Sequence, residues 1–235
     1  MAREQRRRPP VERHPKRDRP ASERPSVHLA DEVVRELKAT ARPGKGEILV
    51  KVFAEAAAAF MNDDYPEAIR LGEQAKHIAL RSTAARELLG LAYYRAGKWS
   101  EAAKELTTFR RLSGSTEQNP VIADAYRAME KPEKALEYCR EIDRKSVDEA
   151  VYYEGAIVGA GAMADMGKID EAIALLERLN LKPEVAAEHH LRTWYVLADL
   201  LERKGRFTQA RELFEAVAAA DSDLTDAPER AARLS

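Results

Sequence analysis

A small residue standing twelve positions before an alanine occurs five times between Ala56 and Ala210, and this recurrence restricts the chain to one kind of architecture. The later alanines are Ala68, Ala102, Ala135, Ala172 and Ala210, spaced 34, 33, 37 and 38 residues apart. Their small partners are Ala56, Gly90, Ala123, Ala160 and Ala198. Three residues before each alanine stands Tyr65, Trp99, Pro132, Ile169 or Phe207. A period near 34 belongs to stacked helix pairs, whose units bury their apolar faces only against neighbours. A small side chain on each helix of a pair lets the two cross closely. The expected fold class is all-α, a solenoid of about five helix pairs.

Helices are expected over 47–62 with 65–80, 83–96 with 98–112, 120–130 with 132–143, 147–166 with 168–180, and 186–204 with 207–220. Asn119-Pro120 reads as an N-cap and first helical residue, and Pro132 opens its helix in the same way. Gly97 suits the left-handed residue that ends a helix. The break Ser113–Asn119 is the longest loop expected within the array. Ahead of the pairs, Leu29, Val33 and Leu37 form an i, i+4, i+8 stripe that Ser26 could cap, giving a capping helix over 26–42. Pro43-Gly44-Lys45-Gly46 stops it. Beyond Asp221 the chain turns polar, so 221–235 reads as a tail or a short helix over Pro228–Leu234.

Composition narrows the class of work. Residues 1–25 carry five prolines and nine Arg/Lys against four Asp/Glu, with almost nothing apolar to offset the entropy of ordering. They read as a disordered basic arm. Over the whole chain the net charge is −1, which gives no global pull toward nucleic acid or membrane. One cysteine, Cys139, excludes an internal disulfide framework, and no 18-residue apolar run exists. A cytoplasmic location is the expectation.

The best-formed unit reads Leu89-Gly90, Tyr93, Gly97, Trp99, Ala102, Leu106, Phe109, with Trp99, Leu106 and Phe109 expected to fill space toward the next pair. The fifth repeats it with Trp194, Leu197-Ala198, Leu201, Gly205, Phe207, Ala210, Phe214 and Val217. The fourth uses Gly159-Ala160, Met163, Gly167, Ile169, Ala172, Leu176 and Leu179. This pattern is similar to that of the tetratricopeptide repeat (TPR) family over about residues 47–220. The first unit departs from it, with Glu55 and Gly72 where large apolar residues are usual. The resemblance implies a right-handed solenoid that holds a segment of another protein in a concave groove lined by the first helix of each pair.

Carried over by offset, the groove residues are Phe53, Phe60, Leu91, Tyr94, Arg95, Asp124, Arg127, Asp165, Tyr195, Asp199 and Arg203. Tyr94 and Tyr195 are the expected anchors, with Arg95, Arg127 and Arg203 meeting carboxylates. The Lys/Asn/Arg clamp of one family subtype is absent, since Phe53, Ala57, Leu88, Glu117 and Val121 occupy its places. The expected role is a non-catalytic adaptor binding a polypeptide. An alternative is an RNA- or ribosome-associated factor gripping phosphates through Arg3, Arg6, Arg7 and Arg8. That arm lacks aromatic residues to stack on bases. Self-association through an uncapped C-terminal pair is a third reading.

Other motifs point to no chemistry. Gly155, Gly159 and Gly161 lie in a helical run without a preceding strand, so they read as close packing rather than a dinucleotide fingerprint. His189 and His190 are adjacent and point to different helix faces, which suits no metal site. Cys139 falls at a core offset and reads as an inert thiol. No cofactor is expected.

Overall fold

The computed structural model describes residues 27–234, and every regular element among them is a helix. The basic arm with Arg3, Arg6, Arg7 and Arg8, and Ser26 as a cap, lie outside the described residues. α1 (Asp31–Thr40) precedes five consecutive pairs: α2 (Gly46–Met61) with α3 (Tyr65–Ile78), and α4 (Thr83–Arg95) with α5 (Trp99–Ser113). Then come α6 (Asn119–Ala128) with α7 (Pro132–Arg140), α8 (Glu149–Asp165) with α9 (Ile169–Leu176), and α10 (Glu188–Arg203) with α11 (Phe207–Ala220). A short α12 (Ala227–Arg233) closes the chain. Each paired helix begins within two residues of its expected start.

The turn inside each pair shows why. Gly97, Gly167 and Gly205 have φ of 74°, 78° and 77°, and Asp63 and Glu130, both at 58°, take the same place in the other two pairs. After each, an amide bonds back to the carbonyl five residues earlier: Lys98 to Tyr93, Lys168 to Met163 and Arg206 to Leu201, all at 2.9 Å. Asp64 to Ala59 and Lys131 to Tyr126 repeat the distance. A left-handed residue followed by this bond satisfies the last carbonyls of one helix and aims the chain into the next. Pro132 opens α7 as expected.

The residues group into two compact units, one ending at Ala92 and the other beginning at Tyr93. In the first, α1 lays Leu37 against Leu49, Val52, Phe53 and Ala56 of α2, with Leu29 and Val33 alongside. The Glu36 carboxylate accepts hydrogen bonds from Ser82 Oγ (2.9 Å) and the Thr83 amide (2.6 Å), so α1 also satisfies the N-terminus of α4. Gly72, irregular in sequence, makes room: a Cβ there would sit 3.1 Å from Leu89 Cδ1.

In the second unit the core at the chain's end gathers Leu176, Leu197, Leu200, Leu201, Phe214 and Val217, with Ala227 and Ala231 of α12 packed onto it. α12 therefore covers the last pair, against the reading of an uncapped C-terminal end. The longest connection is 177–187 rather than 113–119, because α9 stops at Leu176 and α10 starts only at Glu188. The Trp194 indole donates to Leu181 O at 3.1 Å and Tyr153 Oη to Asn180 O at 3.3 Å. Leu179 and Leu181 pack on the core, so two ordered side chains and tertiary packing substitute for a further helical turn.

Three local expectations are corrected. Asn119 lies inside α6 and does not cap it: it is fully buried, and its amide donates to Tyr138 O at 2.9 Å. Phe207 is 53% exposed, whereas Phe214 on the same helix is fully buried. Five residues earlier in the chain, Phe60 packs edge-on against Tyr65 and Tyr94 against Trp99, at 5.9 and 5.3 Å between rings. The residue five before Phe207 is Glu202, a carboxylate that turns elsewhere. Trp99 is itself only half-buried, so it lies at the edge of the stack rather than in its core.

Candidate functional site

The candidate ligand-binding residues fall in both units, and the structure sorts them into three groups. Phe53 is packed into the first unit's core at 8% exposure, because α1 covers it, and so it offers no free surface. Phe60 and Leu91 are half-buried, and Phe60 packs beside Ala59, Ala68 and Ala92.

The second group forms a hydrogen-bonded chain across three first helices. Tyr94 Oη of α4 donates to Asp124 Oδ2 of α6 at 2.6 Å. Arg127, one turn on, reaches Asp124 Oδ1 at 3.2 Å and Asp165 Oδ2 of α8 at 2.8 Å. The guanidinium lies over Gly161, where a Cβ would stand 2.4 Å from Arg127 Cζ. Gly161 is thus small for Arg127, whereas Gly155 is small for Ile142, whose Cδ1 would meet an added Cβ at 2.4 Å. Arg127 is thus matched by two carboxylates of its own chain. Arg95 in the last turn of α4 is exposed.

The third group sits between α10 and α12. Tyr195 Oη donates to Asp226 Oδ1 at 2.5 Å. Arg230 of α12 donates to Asp199 Oδ1 at 2.9 Å, to Glu202 Oε2 at 3.2 Å through Nε, and to Tyr195 Oη at 3.3 Å. Its Cζ stands 4.4 Å from the centre of the Phe214 ring and 5.5 Å from that of Tyr195. Burial alone would disfavour the charge on Arg230, but the hydrogen bonds to Glu202, Tyr195 and Asp199 outweigh it and raise its pKa. Burial, then the bond to Asp226, raises that of Tyr195. Arg203 remains exposed, 3.8 Å from Asp199.

Residues that the sequence reading missed complete these groups. Arg192 of α10 donates to Glu154 Oε1 of α8 at 3.0 Å, and burial, partly offset by Arg192, raises the Glu154 pKa. Arg230, Glu202 and Asp226 were missed as well. A signal existed: the partners stand one repeat apart, at 30 (Tyr94–Asp124), 31 (Asp199–Arg230) and 38 (Arg127–Asp165, Glu154–Arg192) residues. A scan for opposite charges at the repeat period would have paired Asp199 with Arg230, Arg127 with Asp165 and Glu154 with Arg192.

The two histidines and the cysteine that the sequence singled out are packed within the second unit. His190 Nδ1 accepts the Ala187 amide at 3.1 Å, fastening the start of α10, and burial followed by His189 lowers its pKa. Both imidazoles pack against Tyr153, at 4.7 and 5.1 Å. Among the described residues, no group of three or more His, Cys, Asp or Glu is placed to hold a metal ion. No described helix is long and apolar enough to cross a membrane. Burial pushes the Cys139 thiol up to about 12. The thiolate is the reactive form, so a thiol-selective reagent at pH 8 is expected to label the native protein at least tenfold more slowly than the urea-unfolded chain.

The same turn geometry recurs in all five helix pairs, and side-chain contacts link neighbouring pairs. The family model for the tetratricopeptide repeat matches residues 163–232, from the last turn of α8 into α12. No curated protein matches the chain. Among solved structures, it is similar to TTC0263, a thermophilic TPR protein of Thermus thermophilus, at 19% identity and a TM-score of 0.59, covering 79% of this chain and 98% of that one. It is also similar to a putative kinesin light chain of Podosopora anserina with nearly identical TPR-like repeats, at 22% identity and a TM-score of 0.60, covering 76% and 98%. YrrB, a TPR protein with an unusual peptide-binding site, aligns at 16% identity with a TM-score of 0.52, covering 76% and 89%. Residues 163–232 thus match the tetratricopeptide repeat, and the described helix pairs share the fold of these TPR structures.

Proposed function

We propose that the chain is a non-catalytic adaptor that holds a polypeptide segment against the first helices of its pairs. The observation that carries this reading is the chain Tyr94–Asp124–Arg127–Asp165, which ties three successive first helices together. A surface locked by its own hydrogen bonds loses little entropy when a partner arrives. Because those charges already neutralise one another, recognition falls to what they hold in place. The Tyr94 ring is the anchor, and the exposed Arg95 and Arg203 meet partner carboxylates. A solved protein of the same fold carries a peptide-binding site, which supports the reading.

Two variants test it. Tyr94→Ala is expected to weaken binding of a captured partner by about 1–2 kcal/mol, as truncating an interface anchor does, with the fold intact by circular dichroism. Affinity equal to that of the unaltered protein would remove Tyr94 from the site. The double change Arg95→Glu with Arg203→Glu, compared with the intact protein in a pull-down, is expected to lose acidic partners selectively. An identical set of captured proteins would reject this face.

A further inference from the structure

The structure assigns to α12 the part of a ligand held in cis: Tyr195, Asp199, Glu202 and the Phe214 ring form an arginine-binding pocket, and Arg230 fills it until an arginine-bearing helix of a partner takes its place. This rests on the proposed reading that the first-helix face receives polypeptides, and it names the chemistry of the segment received at the C-terminal end.

α12 is seven residues long, whereas isolated helices shorter than ~12–15 residues are marginal in water. It is therefore helical only while docked. Its buried side chains are two alanines, Ala227 and Ala231, which contribute little apolar area. Beside Leu234, partly buried on the same core, and Asp226, which accepts from Tyr195 Oη, the contact that sets α12 apart is Arg230, whose guanidinium meets two carboxylates and a phenol and lies over an aromatic ring. Such charge-assisted and cation–π contacts are specific to a planar guanidinium. Arg233 adds a weaker, exposed contact to Glu202 at 3.3 Å. The link over 221–226 is polar and mostly exposed, so it does not fix α12 by packing.

The pocket residues belong to α10 and α11, and they surround the guanidinium from three sides. The alanines lie three residues before Arg230 and immediately after it. A competing segment would thus be helical and carry small-x-x-Arg-small, the pattern of Ala227 to Ala231. Its arginine would enter between Asp199 and Glu202, with the small residues admitting the helix to the surface over Phe214.

The test uses the full chain and its Arg230→Ala variant. Hydrogen exchange reports whether α12 stays docked. A fluorescent peptide with the sequence of residues 221–235, and a second in which its own arginine at position 230 is alanine, report the pocket. The expected result is faster exchange over 227–234 in the variant, with exchange across α10 and α11 within threefold of the unaltered protein. The arginine peptide is expected to bind the variant at least tenfold more tightly than it binds the unaltered chain, and the alanine peptide neither protein. Unchanged exchange over 227–234 would overturn the latch. Freed exchange without arginine-dependent peptide binding would overturn the pocket as a recognition site. Neither of these results touches Tyr94, so the broader adaptor reading fails or survives on its own experiment.

Discussion

Phe214→Ala is expected to destabilise the second unit by about 3–5 kcal/mol, lowering its melting midpoint by on the order of 10 °C. The ring is fully buried among Leu197, Leu200, Leu201 and Val217, so its removal leaves a cavity that fixed helices cannot close. Phe207→Ala is the internal control. That ring is 53% exposed two turns earlier on the same helix, and its loss is expected to change stability by about 0.5 kcal/mol or less. Equal effects at the two positions would mean that the register of α11 is wrong. Because Arg230 lies over the Phe214 ring, Phe214→Ala and Arg230→Ala are expected to be non-additive, as contacting residues are.

Asn119→Asp is expected to be comparably severe at neutral pH and mild in acid. Asn119 is fully buried, its amide donates to Tyr138 O at 2.9 Å, and its Oδ1 has no hydrogen-bond partner among the described residues. A carboxylate there loses the donor and faces a carbonyl oxygen, and an unpaired buried charge costs about 3–5 kcal/mol. Burial and the carbonyl both raise the folded-state pKa above the unfolded value, which is about 4. The protonated acid restores a donor to Tyr138 O, so the loss is small below the unfolded pKa. It grows as the pH rises through that value and is complete above the raised folded pKa. Urea unfolding of the variant beside the unaltered protein at acid and neutral pH measures this. A difference between them that does not vary with pH would show that position 119 is open to water.

These two positions also show how far the sequence could be read. Phe214 belongs to a repeated pattern, and pattern alone placed it in the core. Asn119 stands directly before a proline, so local rules made it a cap. Its real partner is the carbonyl of Tyr138, nineteen residues away on the following helix. Phe207 failed for a similar reason. Its offset is that of Tyr65 and Trp99, but the aromatic neighbour that covers those rings is replaced by Glu202. The left-handed turns were visible where glycine marked them and hidden at Asp63 and Glu130, which carry side chains at φ of 58°.

The candidate site divides along the same line. Offsets within the repeat identified Tyr94, Asp124, Arg127, Asp165, Tyr195 and Asp199, and all six take part in contacts between neighbouring helices. Offsets could not say that Arg127 is neutralised from both sides, or that α12 brings Arg230 onto Tyr195 and Asp199. Those outcomes depend on how far a side chain reaches from one repeat to the next.

The sequence by itself determined the number of helix pairs, where each begins, and which small residues let the pairs close, because these follow from local backbone sterics and the volume of a few side chains. Only the tertiary structure decided which charged groups pair with one another. Pairing across one repeat requires two helices to be set at a given spacing, and that spacing exists only once neighbouring helix pairs have packed.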